Sequence, residues 1–134
     1  MKPAFLTCLI VIMSLGLLLS ACGDDNEAND QLIGGECTAL ADCDDENDDT
    51  PELECLTEFS GGYCGREGCT TDSDCPEGSL CADLDGTYYC FLVCTDKAQC
   101  NENRTVDNES NCSSNISPVS GGEEKLCIPP SAGI

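Results

Sequence analysis

Cys69-Thr70-Thr71-Asp72-Ser73-Asp74-Cys75-Pro76-Glu77-Gly78-Ser79-Leu80-Cys81-Ala82-Asp83-Leu84-Asp85-Gly86-Thr87-Tyr88-Tyr89-Cys90-Phe91-Leu92-Val93 carries the pattern from which the fold is read. Tyr88 to Val93 is rich in aromatic and β-branched residues and reads as a strand. Leu80-Cys81-Ala82 is its expected hairpin partner, across a turn at Asp83-Leu84-Asp85-Gly86. The Asp72 to Cys81 stretch is polar and closely spaced in cysteine, with no apolar period of the helical kind.

Outward from this stretch the same arrangement recurs on both sides. Downstream of residue 36 the cysteines fall into three groups of four: Cys37, Cys43, Cys55, Cys64; Cys69, Cys75, Cys81, Cys90; and Cys94, Cys100, Cys112, Cys127. Each group opens with two cysteines five residues apart; the next gap is 11, 5 or 11 residues and the last 8, 8 or 14. Thr38, Thr70 and Thr95 follow the first cysteine of each group, and Asp42 and Asp74 precede the second in two of them. Gly61-Gly62, Gly86 and Gly121-Gly122 place a turn ahead of each last cysteine. Self-similarity at this period predicts three tandem units, over residues 37–64, 69–90 and 94–127. Short strands are expected at Leu53–Leu56 with Gly62–Cys64, and at Lys125–Ile128. A brief helical turn between Thr38 and Asp42 is compatible with the pattern, and residues 128–134 form a C-terminal tail.

Such short units need covalent support, because chains below about 40 residues cannot bury enough surface on their own. The chain contains no Cys-x-x-Cys pair and no histidine, so zinc is a poor explanation for its cysteines. Six disulfides are expected, each worth about 3 kcal/mol for a loop of about 15 residues in the chain-entropy view. Spacing does not fix their connectivity. Of the three pairings possible in each unit, first with third and second with fourth is the working expectation. Core-forming side chains are few, with Phe59, Tyr63, Tyr88, Tyr89 and Phe91 the aromatics after the leader and no tryptophan. The bridges are therefore expected to stand in for a core. The fold class is small and disulfide-rich, with short β-hairpins, little regular structure, and a leader that is helical before cleavage.

The middle unit, with Asp72-Ser73-Asp74-Cys75-Pro76-Glu77-Gly78-Ser79-Leu80-Cys81, resembles the Cys-rich modules of the Dickkopf N-terminal type. The outer units share only its spacing, since Asp44 and Asn101 stand where the middle unit has Pro76. The resemblance implies a stapled, hairpin-rich form and carries no receptor-binding role with it.

At the start of the chain, Lys2 is followed by an apolar stretch from Ala4 to Leu19, then Ser20, Ala21 and Cys22, and then Gly23-Asp24-Asp25-Asn26-Glu27. About 16 apolar positions suit a secretory core and fall short of the roughly 20 that a permanent membrane helix requires. Leu19-Ser20-Ala21-Cys22 resembles the lipobox of bacterial lipoproteins. The resemblance implies that residues 1–21 are a signal peptide, that Cys22 receives a diacylglyceryl thioether and becomes the first mature residue, and that the covalent lipid, palmitate among its acyl chains, anchors the protein to a membrane. Several acyl chains hold stably where one holds marginally. An ordinary secretory signal beside a chance cysteine is the other reading. Cysteine parity favours the lipobox: of 14 cysteines, Cys8 lies in the leader and Cys22 is the lipid site, leaving 12 that can all pair.

From Cys22 onward the chain keeps all 26 acidic residues against Arg66, Lys97, Arg104 and Lys125, a formal charge of about −22. Such a surface repels nucleic acid. Residues 22–36 read as the lipidated cysteine and an acidic, flexible tether, with a reach of about 45–50 Å fully extended. Asp44, Asp45, Glu46, Asp48 and Asp49 offer enough oxygens for calcium but lack the Gly and closing Glu of an EF-hand loop. They read first as a solvated acidic loop, and Asp83-Leu84-Asp85-Gly86 is a thinner calcium candidate. Four Asn-x-Ser/Thr triplets, at Asn103, Asn108, Asn111 and Asn115, would be glycan acceptors in a eukaryotic secreted protein and are by-products of a polar loop in a lipobox-bearing one.

Catalysis is not expected, since there is no histidine, no nucleophile with a base, and no free thiol if all 12 cysteines pair. The sequence thus leads to a lipid-anchored cell-envelope protein with a non-catalytic binding or structural role and no bound cofactor. Its expected place is the outer membrane of a Gram-negative bacterium, and its expected partner a protein or glycan. The competing reading is a secreted inhibitor or receptor ligand whose Cys81–Cys90 loop enters a protease or receptor.

Overall fold

The computed structural model describes residues 32–43 and 53–132. Its backbone is built from six short strands: β1 (Glu54–Cys55), β2 (Cys64–Gly65), β3 (Ser79–Leu84), β4 (Thr87–Cys94), β5 (Asn111–Ser113) and β6 (Lys125–Ile128). Single 3-10 turns at Leu40–Asp42, Asp72–Asp74, Gln99–Asn101 and Val106–Asn108 are the only helical pieces among the described residues.

The β3–β4 hairpin is longer than the sequence predicts. Ser79 pairs with Leu92 and the ladder runs to Leu84 opposite Thr87. Asp83 and Leu84 therefore belong to the strand, and the turn is only Asp85-Gly86. Both residues take the left-handed region, with φ of 53° and 89°, which matches the twist of a two-residue hairpin. The Asp83 carboxylate closes the turn by accepting the Gly86 N–H at 2.7 Å.

Units two and three are joined in one antiparallel sheet of order β3-β4-β6-β5. Val93 faces Leu126 across β4 and β6, and Cys112 faces Cys127 across β5 and β6. The far edge of β3 is covered by the returning loop, where Pro118 bridges Ala82 and the Val119 N–H reaches the Cys81 carbonyl at 2.8 Å. Unit one contributes the β1–β2 pair, with Cys55 opposite Cys64. Its continuation lies along β4: the Gly68 N–H bonds Tyr88 O at 2.8 Å and the Cys90 N–H bonds Arg66 O at 2.9 Å.

A shared core lies where the three units meet, so the bridges do not replace a core as the composition implied. Leu56, Phe59 and Tyr63 from unit one pack with Ala82, Leu84 and Tyr89 from unit two, Phe91 just after it, Ile116 and Leu126 from unit three, and Ile128 and Ala132 beyond it. Four of the five aromatics meet edge to face or tilted, with Phe59 and Tyr89 centroids 5.3 Å apart and Tyr63 and Phe91 5.6 Å apart. Each such pair adds about 0.5–1.5 kcal/mol beyond burial. Few aromatics suffice because Phe59, Tyr63, Tyr89 and Phe91 converge on one cluster that aliphatics downstream of residue 94 complete, leaving Tyr88 at the surface.

Two boundaries move. Ile33 is only 3% exposed, and Gly34 and Gly35 are buried with it, so the folded body begins before residue 37 and residues 33–36 are not tether. At the other end the expected tail is packed. Ile128 and Ala132 lie in the core, and the Pro130 carbonyl accepts the Ser60 N–H at 3.3 Å.

Candidate functional site

Six disulfides join Cys37–Cys55, Cys43–Cys64, Cys69–Cys81, Cys75–Cys90, Cys94–Cys112 and Cys100–Cys127. Every unit links its first cysteine to its third and its second to its fourth, so the two bridges of a unit cross. In each unit the first three sulfurs lie within 4.8 Å of one another. As bridged sulfurs they are not the thiolates that a metal would need.

A repeated turn sets the first two cysteines of each unit. In unit two the Asp74 carboxylate accepts the Thr70 N–H at 2.8 Å, the Thr70 hydroxyl at 2.9 Å and the Thr71 N–H at 2.9 Å. Asp42 does the same in unit one for Thr38 and Ala39. Gln99 does it in unit three with its amide oxygen, accepting from the Thr95 N–H at 2.7 Å, the Thr95 hydroxyl and the Asp96 N–H. The repeat is thus complete in structure where the sequence shows Asp in only two units, because the turn requires a side-chain oxygen rather than a charge. The amide of Thr70, then that of Thr71, lowers the Asp74 pKa to about 2, and the Thr38 and Ala39 amides lower that of Asp42.

Arg104 joins units one and three. Its guanidinium donates to Asn108 O at 2.7 Å, to Gly34 O and Gly62 O at 3.0 Å each, and to Ser60 O at 3.1 Å. It also lies 5.8 Å from the centre of the Tyr63 ring. Burial lowers its pKa, opposed by Tyr63 and Glu36. Beside it, Glu36 accepts the Thr105 N–H at 3.0 Å, the Thr105 hydroxyl at 2.9 Å and the Asn108 side-chain amide. Slight burial of Glu36 opposes ionisation, yet these donors and Arg104 prevail and lower its pKa. The Glu36 N–H bonds Asn103 O at 3.0 Å, and the Gly34 N–H bonds Cys64 O at 2.8 Å. The segment entering the fold is therefore clasped by both outer units. Sequence reading passed over Arg104, which sits inside one of the Asn-x-Thr triplets; its one signal was rarity, as one of four cations after the leader.

Leu19, Ser20, Ala21 and Cys22 lie outside the described residues, as do Asp44, Asp45, Glu46, Asp48 and Asp49. The thinner calcium candidate is a hairpin turn whose Asp83 carboxylate is already engaged. Asn108 is tied to Glu36, whereas Asn111 and Asn115 are exposed. The Cys81–Cys90 loop is ladder-paired up to its tip at Asp85-Gly86. Arg66 donates to the Asp74 backbone carbonyl at 3.2 Å, and Lys97 pairs with Glu109 at 2.5 Å. Among the described residues no helix is long and apolar enough to cross a membrane. No family model, no curated protein and no solved structure matches the chain.

Proposed function

We propose that this chain is a lipid-anchored, extracytoplasmic protein of the cell envelope, tethered through Cys22 at the outer membrane of a Gram-negative bacterium, with a non-catalytic binding or structural role. The observation that carries this reading is the count of sulfurs. Six bridges consume every cysteine after Cys22. A free thiol at position 22 would be a standing nucleophile for thiol–disulfide exchange with them. Acylation of that sulfur removes the hazard and supplies the anchor together.

Disulfides of this density belong to an oxidising compartment outside the cytoplasm. From Cys22 to Leu32 the chain can span at most about 35 Å, so the folded body stays close to the bilayer. The partner we propose is a protein or glycan met outside the cytoplasm. The chain has no histidine to serve as a base and no later cysteine free as a nucleophile, and the tightly held carboxylates Asp42, Asp74 and Glu36 are occupied by turn and clasp donors.

Metabolic labelling with a palmitate analogue, in wild type and Cys22→Ala, tests the proposal. Label on the wild type, with loss of label and release of the variant from the membrane fraction, is the expected result. An unlabelled, freely soluble wild type would refute it.

A further inference from the structure

We propose that this protein reaches its mature pairing by thiol–disulfide exchange, as a substrate of a disulfide isomerase in the compartment to which it is exported. None of the six bridges joins cysteines that are neighbours in sequence. The nearest neighbours at the start of each unit are Cys37 and Cys43, Cys69 and Cys75, and Cys94 and Cys100, each pair with five residues between.

Two effects favour these neighbours first. A chain that emerges N-terminus first exposes the first and second cysteines of a unit before the third. Loop closure also favours the shorter loop, by about fivefold for a separation of six against the mature 18 of Cys37–Cys55. The repeated turn adds to both, because its bonds from Thr38 to Asp42, Thr70 to Asp74 and Thr95 to Gln99 are local and need no mature bridge to form. A disulfide-carrying oxidase, accepting two electrons and two protons per bridge, thus makes Cys37–Cys43 and Cys55–Cys64 in unit one.

Conversion of that pair to the mature one needs no net oxidant. An isomerase thiolate attacks the Cys43 sulfur, forming a mixed disulfide and breaking Cys37–Cys43 to release the Cys37 thiolate. That thiolate attacks the Cys55 sulfur, forming Cys37–Cys55 and releasing the Cys64 thiolate. Cys64 then attacks the Cys43 sulfur of the mixed disulfide, forming Cys43–Cys64 and returning the isomerase thiolate. The folded geometry suits this relay, since the first, second and third sulfurs of every unit gather within 4.8 Å. Every mature bridge begins and ends in its own unit, so any bridge closed across the still shorter intervals Cys64 to Cys69 and Cys90 to Cys94 must be resolved by the same exchange.

The test follows the full chain exported in a Gram-negative host with and without its periplasmic disulfide isomerase, with acid quench, alkylation and bridge mapping by mass spectrometry. Neighbour bridges such as Cys69–Cys75 should accumulate several-fold in the cells lacking isomerase. Crossed bridges formed at the same rate and yield in both cells would overturn the proposal. Should the chain be degraded without isomerase, the purified chain is reduced and reoxidised by the oxidase alone, and isomerase is then added. Conversion of neighbour to crossed bridges only on that addition supports the proposal, and a crossed set from oxidase alone refutes it. The Cys22→Ala chain should behave as wild type does, which separates this result from the fate of the lipid anchor.

Discussion

The Tyr63 hydroxyl accepts the Leu92 N–H at 3.1 Å, across 29 positions of sequence. Along that flank of β4 the Cys90 N–H is taken by Arg66 and Cys94 pairs with Lys125 of β6, so Tyr63 fills the interval between two backbone partners. Tyr63 is fully buried, and burial pushes its pKa above the ordinary phenol range. A neutral hydroxyl is thereby kept at the place where unit one meets the sheet of the other two.

Tyr63→Phe keeps the ring and leaves the Leu92 N–H without its acceptor. A loss of about 1–3 kcal/mol is expected, read as a lower denaturant midpoint. Tyr88→Phe, at an exposed ring, should leave the midpoint unchanged within about 0.5 kcal/mol.

Arg104→Lys keeps the charge but cannot reach Asn108, Gly34, Gly62 and Ser60 together, because an ammonium lacks the planar fork. A loss of about 2–3 kcal/mol is expected from carbonyls left unpaired. Hydrogen exchange should rise at the Gly34 and Glu36 amides and stay unchanged in the β3–β4 hairpin. Equal exchange throughout would show that Arg104 does not close the clasp.

Acid sensitivity should map to particular turns. Asp74 holds its proton more weakly in the fold, at about 2 against an ordinary 3.8, so its contribution is complete above about pH 4 and is lost as pH falls toward 2. Asp42 and Glu36 are shifted in the same direction. Melting temperature should be flat above about pH 5 and fall below about pH 4. Asp74→Asn should flatten part of that fall, as the uncharged Gln99 already fills the same role in unit three.

Two glycines with left-handed backbone should respond differently to alanine. At Gly62 a Cβ would lie 2.1 Å from the Cys37 carbonyl oxygen and 2.8 Å from its sulfur, so the backbone must move. At Gly86 nothing lies within 4 Å, and only the conformational cost of about 1–2 kcal/mol applies. Gly62→Ala should lower the yield of correctly bridged protein, whereas Gly86→Ala should fold with a modestly lower midpoint.

Cysteine spacing and the Tyr88–Val93 strand made the stapled, hairpin-rich fold legible, because its short strands depend on contacts close in sequence. The clasp and the shared core were not legible in the same way. Arg104 reaches Gly34 across 70 positions and Tyr63 reaches Leu92 across 29, and contacts of that range leave no period in the sequence. Composition also misled about the core, since a scarcity of aromatics does not reveal that Phe59, Tyr63, Tyr89 and Phe91 converge. Ile33-Gly34-Gly35-Glu36 read as tether because two glycines and an acid follow an acidic stretch. The left-handed backbone of Gly34, at a φ of 85°, is what favours glycine there, since a Cβ would meet Leu92 and Tyr63 only at ordinary contact distance.

If the Cys22 sulfur takes lipid while the twelve cysteines beyond it pair, as we propose, the intact mass of the membrane-extracted chain records both facts together. Without reduction, no cysteine should take an alkylating label; after reduction twelve should, and Cys22 should carry acyl mass at a mature N-terminus. An alkylated Cys22 without acyl mass, or labelled cysteines before reduction, would overturn that proposal.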